Sequence, residues 1–194
     1  MARASAPELL PVFRSAVQGE LLAYVLLAPD AERSAGEIAA AVGAPLATVS
    51  RELARLVRAG VLRERRLGRA RLIPVSQDSP LVPPLTELTV HLFGPRLVVE
   101  QEFADVAGVE ELFIFGSWAA RYSGVPGRPP ADVDVLVVGR PDRAAMYEAA
   151  QRCEARLGIP VNTTVRSVEK WRTDPDSFAV QVQEGPLVRV GGAS

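Results

Sequence analysis

Two carboxylates one residue apart inside an apolar run, Ala131-Asp-Val-Asp-Val-Leu-Val-Val-Gly139, constrain this chain more than any other feature. Aspartate disfavours strands, so an apolar strand that carries two of them needs a reason to keep them. Side chains alternate along a strand, which puts Asp132 and Asp134 on one side while Val133, Val135 and Val137 pack the other. Two carboxylates on one side can share a divalent cation. Upstream, Phe113-Ile-Phe-Gly-Ser-Trp-Ala-Ala-Arg-Tyr122 reads as a strand that ends in Gly116-Ser117 and turns into a short helix. A Gly-Ser that opens a helix offers exposed backbone N–H groups, a hydroxyl and a helix N-terminus, the features that hold a phosphate. A loop rich in Pro and Gly joins the two segments. Together they describe a site for Mg²⁺ and a nucleoside triphosphate.

These residues resemble the minimal nucleotidyltransferases of the DNA polymerase beta superfamily, whose signature is Gly-Ser, a variable loop and Asp-x-Asp in an apolar strand. The resemblance covers residues 97–190 and implies a mixed sheet with flanking helices. It implies that Asp132 and Asp134 are the metal ligands and catalytic residues, and that Gly116 and Ser117 hold the terminal phosphates. The chain also departs from the pattern. Its loop over residues 121–131 is longer than in the shortest members, and Ala131 stands where a Ser often precedes the first Asp. The third carboxylate of active members lies on a following strand, and the segment Val161-Asn-Thr-Thr-Val165 offers Asn162 and Thr164 there. An amide cannot act as a general base and binds Mg²⁺ more weakly than a carboxylate does. The resemblance thus implies a retained fold with catalysis reduced or lost, and Glu154 and Glu169 stand as substitutes for the missing group. The plainer alternative is a solvated strand face beside an ordinary helix cap.

The preceding half has a different grammar. The net charge of −1 conceals a basic segment, residues 51–71, in which Arg51, Arg55, Arg58, Arg63, Arg65, Arg66, Arg69 and Arg71 face only Glu52 and Glu64. Such asymmetry points to different partners for the two halves. Phe13, Val17, Leu21 and Val25 recur at helical spacing and predict a helix that ends near Ala28-Pro29-Asp30. Ser34-Ala-Gly-Glu37 is a capping-box pattern that opens a short helix through Ile38 and Val42, stopped at Gly43. Pro45 suits the first turn of a third helix, with Val49, Leu53, Leu56 and Val57 as its buried stripe and Thr48, Arg51, Glu52 and Arg55 on the other face. After Gly60, residues 61–75 read as two short strands around Leu67-Gly68-Arg69.

This order of parts resembles a bacterial winged helix-turn-helix domain of the arsenic-repressor type, over residues 8–77. The resemblance implies that the third helix enters the major groove of double-stranded DNA and that the hairpin, or wing, holds phosphates or the minor groove. It assigns Thr48, Ser50, Arg51 and Arg55 to the helix contact and Arg65, Arg66, Arg69 and Arg71 to the wing. The competing reading is a helix that makes protein contacts beside a solvated arginine face. Without a Cys pair or a His cluster in this half, metal sensing is not expected.

Residues 78–96 are expected to form a Pro-rich linker and a connecting helix, with Leu85, Leu88, Leu92 and Phe93 as its apolar positions. Apolar helices placed there suit closure of a homodimer, since winged-helix regulators bind symmetric sites. His91 has no evident second ligand and reads as structural. A further helix is expected over residues 142–157. The lone Cys153 excludes an intramolecular disulfide and a Cys-rich zinc site. At 194 residues and 48% hydrophobic content the chain can bury two small cores. Its longest apolar run is too short to span a bilayer and nothing resembles a signal peptide, so a cytoplasmic protein away from membranes is expected.

The expected architecture is α+β / α/β: an N-terminal winged helix-turn-helix and a C-terminal nucleotidyltransferase-like mixed sheet. The leading functional expectation is a DNA-binding transcriptional regulator whose second domain binds a nucleotide with impaired catalysis. The alternative is an active Mg²⁺-dependent nucleotidyltransferase that modifies a protein or nucleic acid. A third reading joins the two in a toxin-antitoxin system, with a toxin as protein partner.

Overall fold

The computed structural model describes residues 13–68 and 70–191. The chain divides between Gly94 and Pro95 into two compact units. Among the described residues no helix is long and apolar enough to cross a membrane.

The first unit begins with α1 (Ala16–Leu26), capped by Ser15, whose hydroxyl accepts from the Gln18 N–H. Leu21, Leu22, Val25 and Leu26 are buried along it. The expected capping box is formed at α2 (Ala35–Ala41): the Glu37 N–H donates to Ser34 Oγ while the Ser34 N–H donates to Glu37 Oε2 at 2.7 Å. Each end of the motif thereby satisfies an N–H that the helix leaves open. Gly43 follows with φ of 58°, the left-handed turn that stops the helix. Pro45 caps α3 (Leu46–Arg58) from the position just outside the first turn. Val49, Leu53 and Leu56 are its buried stripe, and Val57 is half-buried.

The hairpin pairs β1 (Arg65–Leu67) with β2 (Ala70–Leu72), with Arg66 opposite Arg71. Its base is tied back to the helices: the Ile73 N–H donates to the Arg33 carbonyl at 2.8 Å, and Leu62 bridges Val75.

The structure changes the reading of residues 78–96. A helix, α4 (Val82–Phe93), starts within the proline-rich stretch, because Pro83 and Pro84 occupy a first turn that needs no N–H from them. It packs on α1 and counts with the first unit. Its buried face is Thr86, Thr89, Val90 and Phe93, whereas Leu88 is exposed and Leu85 half-buried. Gly19 decides that orientation. A Cβ there would lie inside the Phe93 ring, which also meets Phe13 edge to face at 5.1 Å. His91 lies on the exposed side of α4.

The second unit opens with α5 (Pro95–Phe103) and builds a four-stranded sheet from β3 (Val109–Phe115), β4 (Val133–Gly139), β5 (Val161–Arg166) and β6 (Leu187–Val190). The strand order is β5-β4-β3-β6, with β4 and β5 parallel and β3 antiparallel to both β4 and β6. Short α6 (Gly116–Tyr122) follows β3 directly. The parallel step from β4 to β5 is crossed by α7 (Arg143–Leu157), capped by Asp142 and ended by Gly158 in the left-handed conformation. Two helices, α8 (Val168–Arg172) and α9 (Ser177–Glu184), complete the chain before β6.

One cluster joins Phe113, Leu136 and Val138 to Trp171, Ala179 and Val182 of α8 and α9. Ile114, Val135 and Val137 alternate with those strand residues and are fully buried. The lone Cys153 is buried on α7, and burial pushes its thiol pKa up to about 12, which leaves it inert as a nucleophile.

Candidate nucleic-acid interface and sheet-edge site

Helix α3 and the hairpin carry the first candidate surface. Arg51 and Arg55 are exposed on α3, while Thr48 and Ser50 are half-buried at its start. Every described residue from Arg63 through Arg71 is exposed, so the hairpin is a rod of charge that contributes little to the core. Arg69, assigned to the wing on sequence, lies outside the described residues.

The arginines expected to act together divide into two sets. Arg55 donates to Glu52 at 2.7 Å, Arg71 to Glu64 at 2.8 Å and Arg65 to Glu32. Glu52 also accepts from Arg14 at 3.1 Å, and Arg63 pairs with Asp78. Arg51 donates to Thr48 Oγ1 at 3.3 Å and, like Arg58 and Arg66, has no carboxylate partner among the described residues. The second set presents uncompensated charge; the first must exchange a carboxylate before it meets an anion. Such exposed pairs are worth about 0–1 kcal/mol, which the exchange costs for each pair. Arg58 was missed on sequence because it sits in the last turn of α3, away from the N-terminal residues that read base edges. The signal was present in its place within the basic run.

The second candidate site is assembled across the sheet of the other unit. Asp132 lies just before β4 and Asp134 within it. Register sets Asp134 between Phe115 of β3 and Asn162 of β5. The Asn162 amide reaches both carboxylates, donating to Asp132 Oδ2 at 2.8 Å and to Asp134 Oδ1 at 3.3 Å. Its two hydrogens thus hold the pair together as a cation would. Among the described residues no group of three His, Cys, Asp or Glu side chains gathers here or elsewhere. Glu154 is engaged otherwise: its Oε1 accepts from the Val161 N–H at 3.0 Å and fixes the start of β5. Glu169 is exposed in the first turn of α8.

Burial is the main reason that the Asp134 pKa is raised; the neighbouring Asp132 charge adds to it and the Asn162 hydrogen bond opposes it. Gly116 has φ of 67°, and a Cβ on it would stand 3.0 Å from Asp134 Oδ2. Glycine is required there both by conformation and by the approach of the carboxylate. Ser117 follows as an exposed residue in the first turn of α6, which has no side-chain cap. The turn and the carboxylates that sequence reading placed in one site are therefore neighbours, and Asn162 occupies the space between the carboxylates. Phe115 meets Phe178 edge to face at 5.6 Å, and Arg166 stacks over the Phe178 ring at 4.4 Å. No sequence pattern marked Phe178.

Residues 15–65 match the helix-turn-helix domain family. Among solved structures the chain is similar to reduced HlyU from Vibrio cholerae N16961, at 25% identity and a TM-score of 0.36, over 45% of this chain and 86% of that one. It is also similar to the homodimeric winged helix-turn-helix DNA-binding domain Mb0332 from Mycobacterium bovis, at 26% identity and a TM-score of 0.30, over 45% of this chain and 85% of that one. Among curated proteins none matches. The first unit thus contains a helix-turn-helix domain.

Proposed function

We propose that the chain is a DNA-binding transcriptional regulator whose second unit is a nucleotidyltransferase-like domain that binds a nucleotide without transferring it. The observation that carries the DNA reading is the joining of a helix-turn-helix match to an exposed α3 with Arg51 and Arg58 uncompensated beside a basic hairpin. In this reading α3 enters the major groove, Thr48, Ser50, Arg51 and Arg55 meet base edges, and Arg58, Arg65, Arg66 and Arg69 take phosphates, while Arg71 of the wing is paired with Glu64. Two copies acting as a homodimer would read two half-sites. Selection from a random duplex library with the full chain tests it. Enrichment of one motif is expected, and recovery of unselected sequence would sink the claim of sequence specificity.

For the second unit, the mixed sheet, the left-handed Gly116 against Asp134 and the paired Asp132 and Asp134 support a nucleotide site. Residues Asp132 and Asp134 would hold Mg²⁺, and Gly116 with Ser117 the terminal phosphates. The bound Mg²⁺ would neutralise phosphate charge. Asn162 favours binding over catalysis, because the amide that stands where a third carboxylate would be supplies no base, while one oxygen of each Asp is left to a cation by its two hydrogen bonds. General-base help is typically worth about 10²- to 10⁴-fold in rate. Calorimetric titration of Mg²⁺ and nucleoside triphosphates should show binding that the double Asp132→Asn, Asp134→Asn variant loses. A labelled-nucleotide assay should show no transfer by the natural chain. Transfer to a protein or nucleic acid, abolished by Asp134→Asn, would instead establish the enzyme, and a toxin-antitoxin role would then need a toxin partner.

A further inference from the structure

A groove runs between the later turns of α3 and the hairpin, lined by Arg51, Arg55, Arg58 and Arg71 and by a single carboxylate, Glu64. Glu64 stands just before β1 and accepts from Arg71 of β2 at 2.8 Å, with both side chains well exposed. Arg55 is satisfied from outside the groove lining, by Glu52. Among the described residues that line the groove, Glu64 is therefore the one negative charge that an entering anion would meet, and it also cancels one of the four positive charges.

We propose that Glu64 is an electrostatic brake on DNA binding, which holds Arg71 in reserve and repels the phosphate that the groove would otherwise take. The inference rests on the DNA-binding reading above and adds to it a residue that limits affinity. A phosphate beside Glu64 is opposed by a like charge, while Arg71 stays neutralised. Removing the carboxylate charge lifts the repulsion and releases Arg71 to neutralise one more phosphate. The effect is the same on every sequence, because phosphates carry no base identity. The protein thus binds less tightly to bulk DNA than its arginine content implies.

The test is fluorescence anisotropy of a labelled random-sequence duplex with the full chain, across a salt series. Glu64→Gln should bind roughly eightfold more tightly at about 0.1 M salt and steepen the slope of log K against log salt by about 0.9, the mark of one more counterion released. Arg71→Ala leaves the Glu64 charge unpaired in the groove, so it should weaken binding in the natural chain, and it should reverse the gain when added to Glu64→Gln. The steeper salt slope is a readout that a merely structural role for Glu64 would not move, and equal thermal melting of the variants confirms that folding is intact. An unchanged slope in Glu64→Gln, or a gain that survives the addition of Arg71→Ala, overturns the proposal. If the natural chain binds duplex and Glu64→Gln does not differ, this inference alone falls; if the natural chain binds no duplex at low salt, the DNA-binding reading falls with it.

Discussion

The two units carry their polar groups in opposite ways. In the first, charge sits on an exposed helix face and on a hairpin whose described residues from Arg63 through Arg71 are all exposed. In the second, three polar side chains, Asp132, Asp134 and Asn162, are drawn together across two strands, and one is buried enough to have its pKa raised. The first surface makes charge available to a partner from outside. The second confines charge at a sheet and satisfies it internally. A surface of the first kind is tuned by carboxylates that pair with its arginines, and a site of the second kind by whichever side chain the register sets beside it.

The two compact units are expected to unfold separately. Leu53 is 2% exposed in the buried stripe of α3, so Leu53→Ala should cost about 2–5 kcal/mol through lost burial and a cavity. Calorimetry should show a lower transition for the first unit and an unmoved one for the second. A matching fall in both transitions would show that the two units unfold as one.

Next in size is the contrast between paired and unpaired arginines. Arg51→Ala should weaken DNA binding roughly tenfold and relax sequence preference, on the scale of about 1–3 kcal/mol for a good base contact. Arg65→Ala, which gives up its pairing with Glu32, should cost less than half as much in free energy. Equal losses by anisotropy would show that the internal pairs do not matter to binding.

Much of the first unit is legible along the chain, because a capping box and a helical stripe are local patterns. Ser34 and Glu37 lie three residues apart, and their reciprocal bonds form as the sequence implies. The ion pairs that sort the arginines are less legible, since Glu32 reaches Arg65 and Asp78 reaches Arg63 across distant segments. Helix α4 forms over the positions that Leu85, Leu88, Leu92 and Phe93 mark, but its buried face is not legible in them, because the open space at Gly19 admits Phe93 and turns Thr86 and Thr89 inward. In the second unit, alternation puts Asp132 and Asp134 on one side. Only the parallel register of β4 with β5 shows that the Asn162 amide bridges them. The role of Glu154 at the start of β5 likewise depends on tertiary placement.

Ser34→Ala removes the hydroxyl that accepts the Glu37 N–H and should cost the first unit about 1 kcal/mol, read from chemical denaturation. The second unit should not respond.

The smallest effect belongs to the confined site. Because the Asp134 pKa is raised in the folded protein, the folded state holds the proton more tightly than the unfolded chain does. The associated stability is full below the ordinary carboxylate pKa and is lost as pH rises through the raised value. Asp134→Asn should therefore match the natural chain in melting temperature near pH ~3 and exceed it slightly near pH ~7. A difference that does not change with pH would show that confinement of the charge carries no cost.

Whether the first unit offers its uncompensated arginines to DNA is read from a salt series of duplex binding with the full chain and its double variant Arg58→Ala, Arg66→Ala. Log K should fall linearly with log salt, and the double variant should flatten the slope by about 1.8, two counterions at about 0.9 each. A natural chain that binds no duplex at low salt, or a slope that the double variant leaves unchanged, would show that these arginines are not offered to DNA.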